Sequence, residues 1–311
     1  MNIGIEKIVT YLPEGKMSVH QFYEKMKKNY DYSISNEEIE RFIETSKYNE
    51  VVYEENMNRI ELLDAFFQKL MDYYNGDEID YILYSTDIPE ATRDKVVYQL
   101  YYIHKYKFTN ANYMTLNQQC GTQINAMAIA TSLIRCRQAK RVLIVSHSFK
   151  DELRRRLLEG YGIIGDGVVG IIVSEDASQM TYVDSYTKTN SEYYDLNKTP
   201  KGGMSYFQYL HNGVDSINEI LHRNNLFISD IKIIIPQNVS AMEWDFYAPR
   251  LKCKPDQIYL KNVSRYGHLG DADAFINLND AINDISMEKG DYILLQSVGA
   301  GATFNSLLLR Y

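Results

Sequence analysis

The feature that most constrains the fold is a helix-and-strand pattern that occurs twice in the chain. Short apolar runs, typical of strands buried on both faces, begin after Asp80 and after Asp230, which are 150 residues apart. A second pair of runs, residues 141–145 and 291–295, has the same offset. Any α/β chain yields some helix-then-strand pairs, but two pairs at one common offset are better explained by a duplicated unit.

Helical segments precede all four runs. Apolar residues recur at helical spacing from Ile60 to Tyr74 and from Val214 to Leu221, and further helices are predicted over 122–137 and 275–287. Alternation of helices with buried strands predicts an α/β fold with mostly parallel sheets and helices on their faces.

The duplication also predicts where the chemistry is located. Residues 1–175 form one half and residues 176–311 the other, and α/β folds place their sites at the carboxyl ends of the strands. Corresponding loops of the two halves, near residues 120 and 270, are therefore expected to converge.

The composition excludes several classes of function. The chain has 41 acidic and 33 basic residues and a net charge of −8, which disfavours a nucleic-acid partner. No apolar run approaches the roughly 18–20 residues of a spanning helix and no signal-like segment opens the chain, so we expect a cytoplasmic protein without a membrane span. Three cysteines, Cys120, Cys136 and Cys253, lack the spacing of a disulfide framework or a zinc site, so no metal is predicted.

Cys120 directly precedes a predicted helix that is apolar almost all round. At the first turn of a helix a thiol experiences the positive end of the helix dipole, which favours the thiolate and creates a nucleophile. Free cysteines are also common as small buried core residues. The spacing alone leaves both interpretations open.

The matching loop of the second half holds one histidine, His268, and two carboxylates, Asp271 and Asp273, among small residues. Thiol catalysis needs an imidazole that accepts and returns a proton, and a carboxylate that fixes the imidazole tautomer. This loop supplies both residue types. A solvated histidine beside aspartates in an ordinary turn is the alternative.

Two glycine-rich turns accompany these loops. Gly165-Asp166-Gly167 precedes a predicted buried strand, and Gly299-Ala300-Gly301 follows the last apolar run. Neither turn has a P-loop lysine or opens a helix, so nucleotide binding finds no support. The backbone N–H groups from Gly299 to Gly301 are instead candidates for binding an oxyanion.

From about Ile3 to Tyr311, the sequence resembles the β-ketoacyl synthase III branch of the thiolase-fold superfamily. The resemblance depends on landmarks that occur in the family's order and spacing. These landmarks are Tyr11-Leu12-Pro13-Glu14, the strand Ile79 to Thr86, Gln119-Cys120-Gly121, Gly165-Asp166-Gly167 and the ending Gly299 to Phe304.

The resemblance implies a thiolase-like, five-layered αβαβα fold with an internal duplication, assembled as a homodimer. It also implies that an acyl-CoA or acyl-carrier-protein thioester acylates Cys120. The oxyanion hole would consist of the N–H groups of Cys120 and Ala300. No cofactor is implied beyond the CoA or phosphopantetheine arm of the substrate.

Two positions depart from the condensing members of the family. Those members carry a histidine after the proline that matches Pro236 and an asparagine after the glycine that matches Gly267, whereas this chain has Gln237 and His268. Since glutamine is no general base, decarboxylation of a malonyl thioester loses its support. A subgroup of acyltransferases of polyketide and other secondary metabolism places His and, five residues later, Asp as His268 and Asp273 do here.

The resemblance therefore favours a Cys120, His268, Asp273 triad, with Asp271 the less favoured carboxylate and Gln237 and Asn238 as hydrogen-bonding neighbours. The predicted function is transfer of an acyl group from Cys120 to an oxygen, nitrogen or sulfur acceptor, or to a ketosynthase. Decarboxylative condensation and an idle subunit of a heterodimeric synthase are the alternatives.

Two substrate contacts are also predicted. Ile164 would line the acyl pocket. The basic run Arg154, Arg155 and Arg156 would receive the anionic arm of the donor or an acidic carrier protein. Residues 150–158 also fit a charged, solvated helix, which is the alternative interpretation of that run.

Overall fold

A computed structural model describes residues 2–85, 98–158, 161–177, 179–195, 204–239, 241–300 and 302–311. In these ranges no helix is long and apolar enough to cross a membrane. The strands are β1 (Gly4–Tyr11), β2 (Lys16–Ser18), β3 (Glu50–Val52), β4 (Tyr81–Ser85), β5 (Asn112–Leu116), β6 (Arg141–Ser148), β7 (Leu157–Leu158), β8 (Gly162–Ile163), β9 (Gly167–Ser174), β10 (Met180–Thr189), β11 (Ile231–Pro236), β12 (Tyr292–Gly299) and β13 (Thr303–Arg310). The helices are α1 (Val19–Asn29), α2 (Asn36–Ser46), α3 (Arg59–Met71), α4 (Tyr98–Lys105), α5 (Thr122–Arg135), α6 (Met204–Arg223), α7 (Met242–Leu251), α8 (Val263–Tyr266) and α9 (Asp273–Asp284).

The main sheet has the strand order β11-β12-β13-β10-β1-β9-β6-β4-β5. In the first half β4 pairs in parallel with β6, and β6 pairs antiparallel with β9. In the second half β11 pairs in parallel with β12, and β12 pairs antiparallel with β13. The same order in both halves confirms the internal duplication that the 150-residue offset predicted.

The prediction of mostly parallel sheets is wrong, because antiparallel pairs outnumber parallel pairs in the described sheet. Parallel strands need a long crossover connection, but β12 and β13 are joined by residues 300–302 alone, and so short a link produces a hairpin. Each half is therefore a mixed sheet. Within the described strands, the two half-sheets pair with each other where Gly4 and Ile5 of β1 lie opposite Thr181 and Met180 of β10.

Helices cover both sheets and separate them. Helices α3 and α4 pack on the outer face of the first-half strands, and α6 and α7 pack on the outer face of the second-half strands. Helices α5 and α9 lie in one core cluster with the inner faces of both sheets. These five layers confirm the αβαβα fold class.

The strand sequences explain this layering. In β6, Val142 and Ile144 belong to the central core cluster, whereas Leu143 and Val145 belong to the outer one. Successive side chains of a strand point to opposite faces, so a strand covered by helices on both sides must be apolar at every position. Such strands bring the elbow before α5 and the loop before α9 to the same edge of the fold.

Candidate active site

The backbone around His268 is fixed by hydrogen bonds to the segment that precedes β9. The His268 N–H donates to the Ile163 carbonyl at 2.9 Å, and the Gly165 N–H donates to the His268 carbonyl at 2.9 Å. The preceding Gly267 has φ = +72°, and a Cβ there would lie 2.6 Å from Cγ1 of Val51. Only glycine fits this turn without displacing its neighbours, so Gly267 sets the direction of the histidine.

Asp273, the first residue of α9, is fully buried and accepts three hydrogen bonds. Its Oδ2 accepts from His268 Nδ1 at 2.5 Å and from the Asn238 N–H at 2.7 Å, and its Oδ1 accepts from the Leu269 N–H at 2.6 Å. A carboxylate held by two backbone donors cannot rotate away from the imidazole. Asp273 therefore keeps Nδ1 protonated and leaves Nε2 facing the cavity.

The other carboxylate of the loop, Asp271, serves a different purpose. Its Oδ1 accepts from the Gln123 N–H in the first turn of α5 at 2.8 Å, and its Oδ2 accepts from the hydroxyls of Ser85 and Ser146. Asp271 thus ties the first turn of α5 to strands β4 and β6. Of the two candidate carboxylates, Asp273 is the one that bonds to His268.

Cys120 lies on a tight elbow directly before α5. The preceding Gln119 has φ = +55°, and the following Gly121 has no room for a side chain, because a Cβ there would lie 2.1 Å from the Asn305 amide nitrogen. This geometry leaves the Cys120 side chain partly exposed at the start of the helix. Its sulfur is therefore accessible and close to the positive end of the helix dipole.

The two loops meet as the duplication predicted. Cys120 Sγ lies 3.3 Å from His268 Nε2. Burial opposes protonation of the imidazole, but the negative charges of Asp273 and Cys120, together with their hydrogen bonds, outweigh it and raise the pKa of His268 well above its ordinary value. The arrangement suits transfer of the thiol proton to Nε2, which would produce the nucleophilic thiolate.

The turn predicted to bind an oxyanion packs against this elbow. A Cβ on Gly299 would lie 2.2 Å from the Gln118 carbonyl, so the glycine permits the close approach. Cys120 and Ala300 both line the same cavity. Gly301 lies outside the described residues.

A cavity of about 360 Å³ opens onto the sulfur and the imidazole. Ile164 lines it, and so does Gln237, whose Oε1 accepts from the Val298 N–H at 3.1 Å. Asn238 lies behind the cavity, where it supports Asp273 through its backbone. The apolar part of the lining consists of Leu158, Tyr161, Ile164, Tyr206, Tyr209, Val239 and Val298.

The basic run divides between surface and core. Arg154 is exposed, and Arg155 lines the cavity at its exposed rim. Arg156 is only 2% exposed, and its Nη1 donates to Asp166 Oδ1 at 2.6 Å. The prediction that Arg156 contacts the donor is therefore wrong. The charged helix over 150–158 is also absent, since the chain makes only a short 3₁₀ turn at Leu153–Arg156 that directs Arg156 inwards.

Replacing Arg156 with methionine is expected to lower the free energy of unfolding by about 3–5 kcal/mol, because it leaves the Asp166 carboxylate buried without its cation. Burial already raises the pKa of Asp166 against the opposing charge of Arg156. Urea denaturation measures the loss. The double variant Arg156→Met with Asp166→Leu should recover much of the lost free energy of unfolding. An equal loss of this free energy in the single and the double variant would contradict the explanation.

Several cavity residues were not predicted from the sequence, among them Tyr206, Tyr209 and Glu243. Tyr206 and Tyr209 lie one turn apart on α6, and Glu243 lies in the first turn of α7. The only sequence signal was the three-residue spacing of the two tyrosines, which places them on one helix face. No motif marked Glu243.

Comparison with known proteins gives a consistent answer. The family model for the 3-oxoacyl-[acyl-carrier-protein] synthase III C terminal matches residues 221–311. A β-ketoacyl-[acyl-carrier-protein] synthase III of Clostridium novyi is 23% identical over 90% of this chain and 95% of its own. The crystal structure of 3-oxoacyl-[acyl-carrier-protein] synthase III from Aquifex aeolicus superposes with a TM-score of 0.82 at 18% identity, covering 99% of this chain and 100% of its own.

The chain has the fold of the ketoacyl synthase III structures, and its residues 221–311 match the C-terminal model of that family. A structure named ChlB3 and described as an acyltransferase has the same fold as this chain, with a TM-score of 0.84 and 15% identity over 99% of this chain and 97% of its own. The solved structures that share this fold thus include both synthases and a protein described as an acyltransferase.

Proposed function

We propose that the protein is an acyltransferase that forms a thioester on Cys120 from an acyl-CoA or acyl-carrier protein and passes the acyl group to an oxygen, nitrogen or sulfur acceptor. The observation that carries this proposal is the 3.3 Å approach of Cys120 Sγ to His268 Nε2, with Asp273 on the opposite ring nitrogen. Synthase III relatives and the acyltransferase ChlB3 support the reaction class.

In the first step the Cys120 thiolate attacks the carbonyl carbon of the donor thioester. The N–H groups of Cys120 and Ala300 stabilise the negative charge on the carbonyl oxygen. The bond to the donor sulfur then breaks, and the departing thiolate takes the proton of the His268 imidazolium. The products are a free donor thiol and an acyl-enzyme with neutral His268.

In the second step neutral His268 removes the proton of the acceptor while the acceptor attacks the acyl carbon. The bond from that carbon to Cys120 Sγ breaks, which restores the thiolate beside the imidazolium. Because Asp273 holds the ring by Nδ1, the same nitrogen, Nε2, gives and receives the proton in both steps.

Two residues of the cavity argue against decarboxylative condensation. Gln237 carries an amide that cannot accept a proton, and its oxygen is already used by the Val298 N–H. Glu243 places a carboxyl group in the same cavity, where it would repel the carboxylate of a malonyl thioester. Both features favour a donor without a free carboxylate.

Incubation with a panel of acyl-CoA thioesters, followed by intact mass spectrometry, tests this proposal. We expect a mass increase equal to one acyl group with at least one donor, and no release of carbon dioxide from malonyl-CoA. Carbon dioxide release would favour the condensing alternative. If no donor gave an adduct, the idle-subunit alternative would replace the proposal.

The reactivity of Cys120 is expected to persist at neutral and mildly acidic pH. An ordinary thiol has a pKa of about 8.5, so its alkylation slows about tenfold for each pH unit below that value. The raised pKa of His268 keeps its positive charge beside Sγ at neutral pH, and a neighbouring imidazolium is expected to favour the thiolate. Iodoacetamide alkylation followed by peptide mass spectrometry measures the profile, with exposed Cys136 as internal reference.

The variant His268→Ala removes the imidazolium. The pH profile of Cys120 alkylation should then move to higher pH, towards the profile of Cys136. Identical Cys120 profiles in the wild type and this variant would show that the ion pair does not control the thiol.

A further inference from the structure

The cavity that contains Cys120 and His268 has a carboxyl group in its wall, and the mechanism above does not use it. Glu243 is half-buried there, in the first turn of α7. The positive end of a helix favours acidic residues in its first turn, but it does not require them to face a cavity. Asp245 lies in the same turn and is exposed to solvent.

Three tyrosines line the cavity together with this carboxyl group. Tyr161, Tyr206 and Tyr209 line the same cavity, and the rings of Tyr206 and Tyr209 are nearly parallel, with centroids 6.2 Å apart. Burial, followed by the charge of Glu243, raises the pKa of all three hydroxyls. The hydroxyls therefore stay protonated within electrostatic range of the carboxylate.

This combination matches a known mode of cation binding. The face of an aromatic ring attracts a cation, and the attraction grows when the site excludes water. A carboxylate beside such rings adds a charged hydrogen-bond acceptor, which strengthens the contact with an ammonium group. A neutral or anionic group would gain neither interaction here.

The cationic residues of the lining come from a different segment. Lys150 and Arg155 belong to the stretch between β6 and β7, and the Arg155 side chain is 60% exposed. They suit the anionic arm of a thioester donor at the rim, while the apolar residues suit its acyl chain. The acceptor is the reactant left to face Glu243.

We infer that the acceptor carries a protonated amino group that binds to Glu243 and the tyrosine rings, an inference that rests on the proposed function. A second group of the same molecule, a hydroxyl for example, attacks the acyl carbon. That hydroxyl gives its proton to His268, the new ester forms, and the Cys120 thiolate leaves. The amino group keeps its proton and serves only for binding.

Charge-selective modification tests the cation site without any acyl donor. Methanethiosulfonates that carry an aminoethyl or a sulfonatoethyl group react with the thiolate to give a mixed disulfide and methanesulfinate. Peptide mass spectrometry gives the rate of each reagent at Cys120. We expect Glu243→Gln to lower the ratio of the cationic to the anionic rate about tenfold or more, the size of one lost hydrogen bond to a charged group.

Asp245→Asn, which removes an exposed charge from the same helix turn, is the matched control and should leave that ratio unchanged. An equal ratio in the wild type and Glu243→Gln would overturn the inference, and so would an equal fall in both variants, because the effect would then be a general one of charge.

Discharge of the acyl-enzyme tests the acceptor itself. We expect 4-amino-1-butanol to discharge the wild-type acyl-enzyme about tenfold or more faster than 1,4-butanediol, and Glu243→Gln to lose this preference. Equal rates with the wild type would overturn the inference while leaving the proposed function intact. Failure to form any acyl-enzyme would instead reject the proposed function, and the methanethiosulfonate ratio would still decide whether Glu243 selects cations.

Discussion

Replacing Cys120 with alanine is expected to abolish the acyl adduct completely, for every donor that acylates the wild-type protein. Alanine has no nucleophile, and no other group described at the base of the cavity combines a reactive sulfur with the start of a helix. Intact mass spectrometry after incubation with acyl-CoA measures the result. Transfer to any acceptor should disappear with the adduct, since both steps pass through the same thioester.

Cys136→Ala is the control for this experiment, because it removes a thiol that is exposed at the end of α5, outside the cavity. It should leave the adduct unchanged. Because the Cys120 side chain is partly exposed, the free energy of unfolding of Cys120→Ala should lie within about 1 kcal/mol of the wild-type value. An adduct that persisted in Cys120→Ala and vanished in Cys136→Ala would refute the assignment of the nucleophile.

Replacing Asp273 with asparagine is expected to lower kcat for acyl transfer by about 10⁴-fold, the size of the same change in a serine protease triad. An amide in this position can donate its N–H to Nδ1, which would force the ring proton onto Nε2. A neutral imidazole protonated at Nε2 cannot accept a proton there, so it cannot act as the base. Steady-state transfer kinetics measure the loss. The Cys120 alkylation profile should also move upwards in pH, because the imidazolium loses its counterion.

Asp271→Asn distinguishes a role in catalysis from a role in packing. Asp271 is also buried, but it bonds to Ser85, Ser146 and the Gln123 N–H instead of the imidazole. Its replacement should lower the free energy of unfolding by about 1–3 kcal/mol and leave the pH profile of Cys120 in place. A shifted profile in Asp271→Asn, with an unshifted one in Asp273→Asn, would reverse the two assignments.

The layered fold could be predicted because its signals are local. Strands such as β6 contain a continuous apolar run, here residues 142–145, and this pattern requires cover on both faces. The pairing of a cysteine with a histidine 148 residues away could be predicted because the duplication places their loops at equivalent positions. The mixed sheets were missed because apolar runs carry no information on strand direction.

Individual side chains were harder to place. Arg156 belongs to a run of three arginines, and its sequence neighbours do not show that one of them would turn inwards to Asp166. Glu243 resembles any acidic residue at the start of a helix, since only the packing of α7 against α6 brings it to the cavity. Both outcomes depend on contacts between distant segments, which no local pattern encodes.

The sulfur belongs to the first half of the fold and the imidazole to the second half. The distance between them therefore depends on how the two halves pack against each other. Close-packed interiors deform very little, and helices α5 and α9 fill the space between the sheets with buried side chains. Slippage of about 1 Å across this layer would cost on the order of 10²-fold in rate. Rigidity at the centre is therefore a requirement of turnover, and any opening that admits substrate has to occur at the cavity rim.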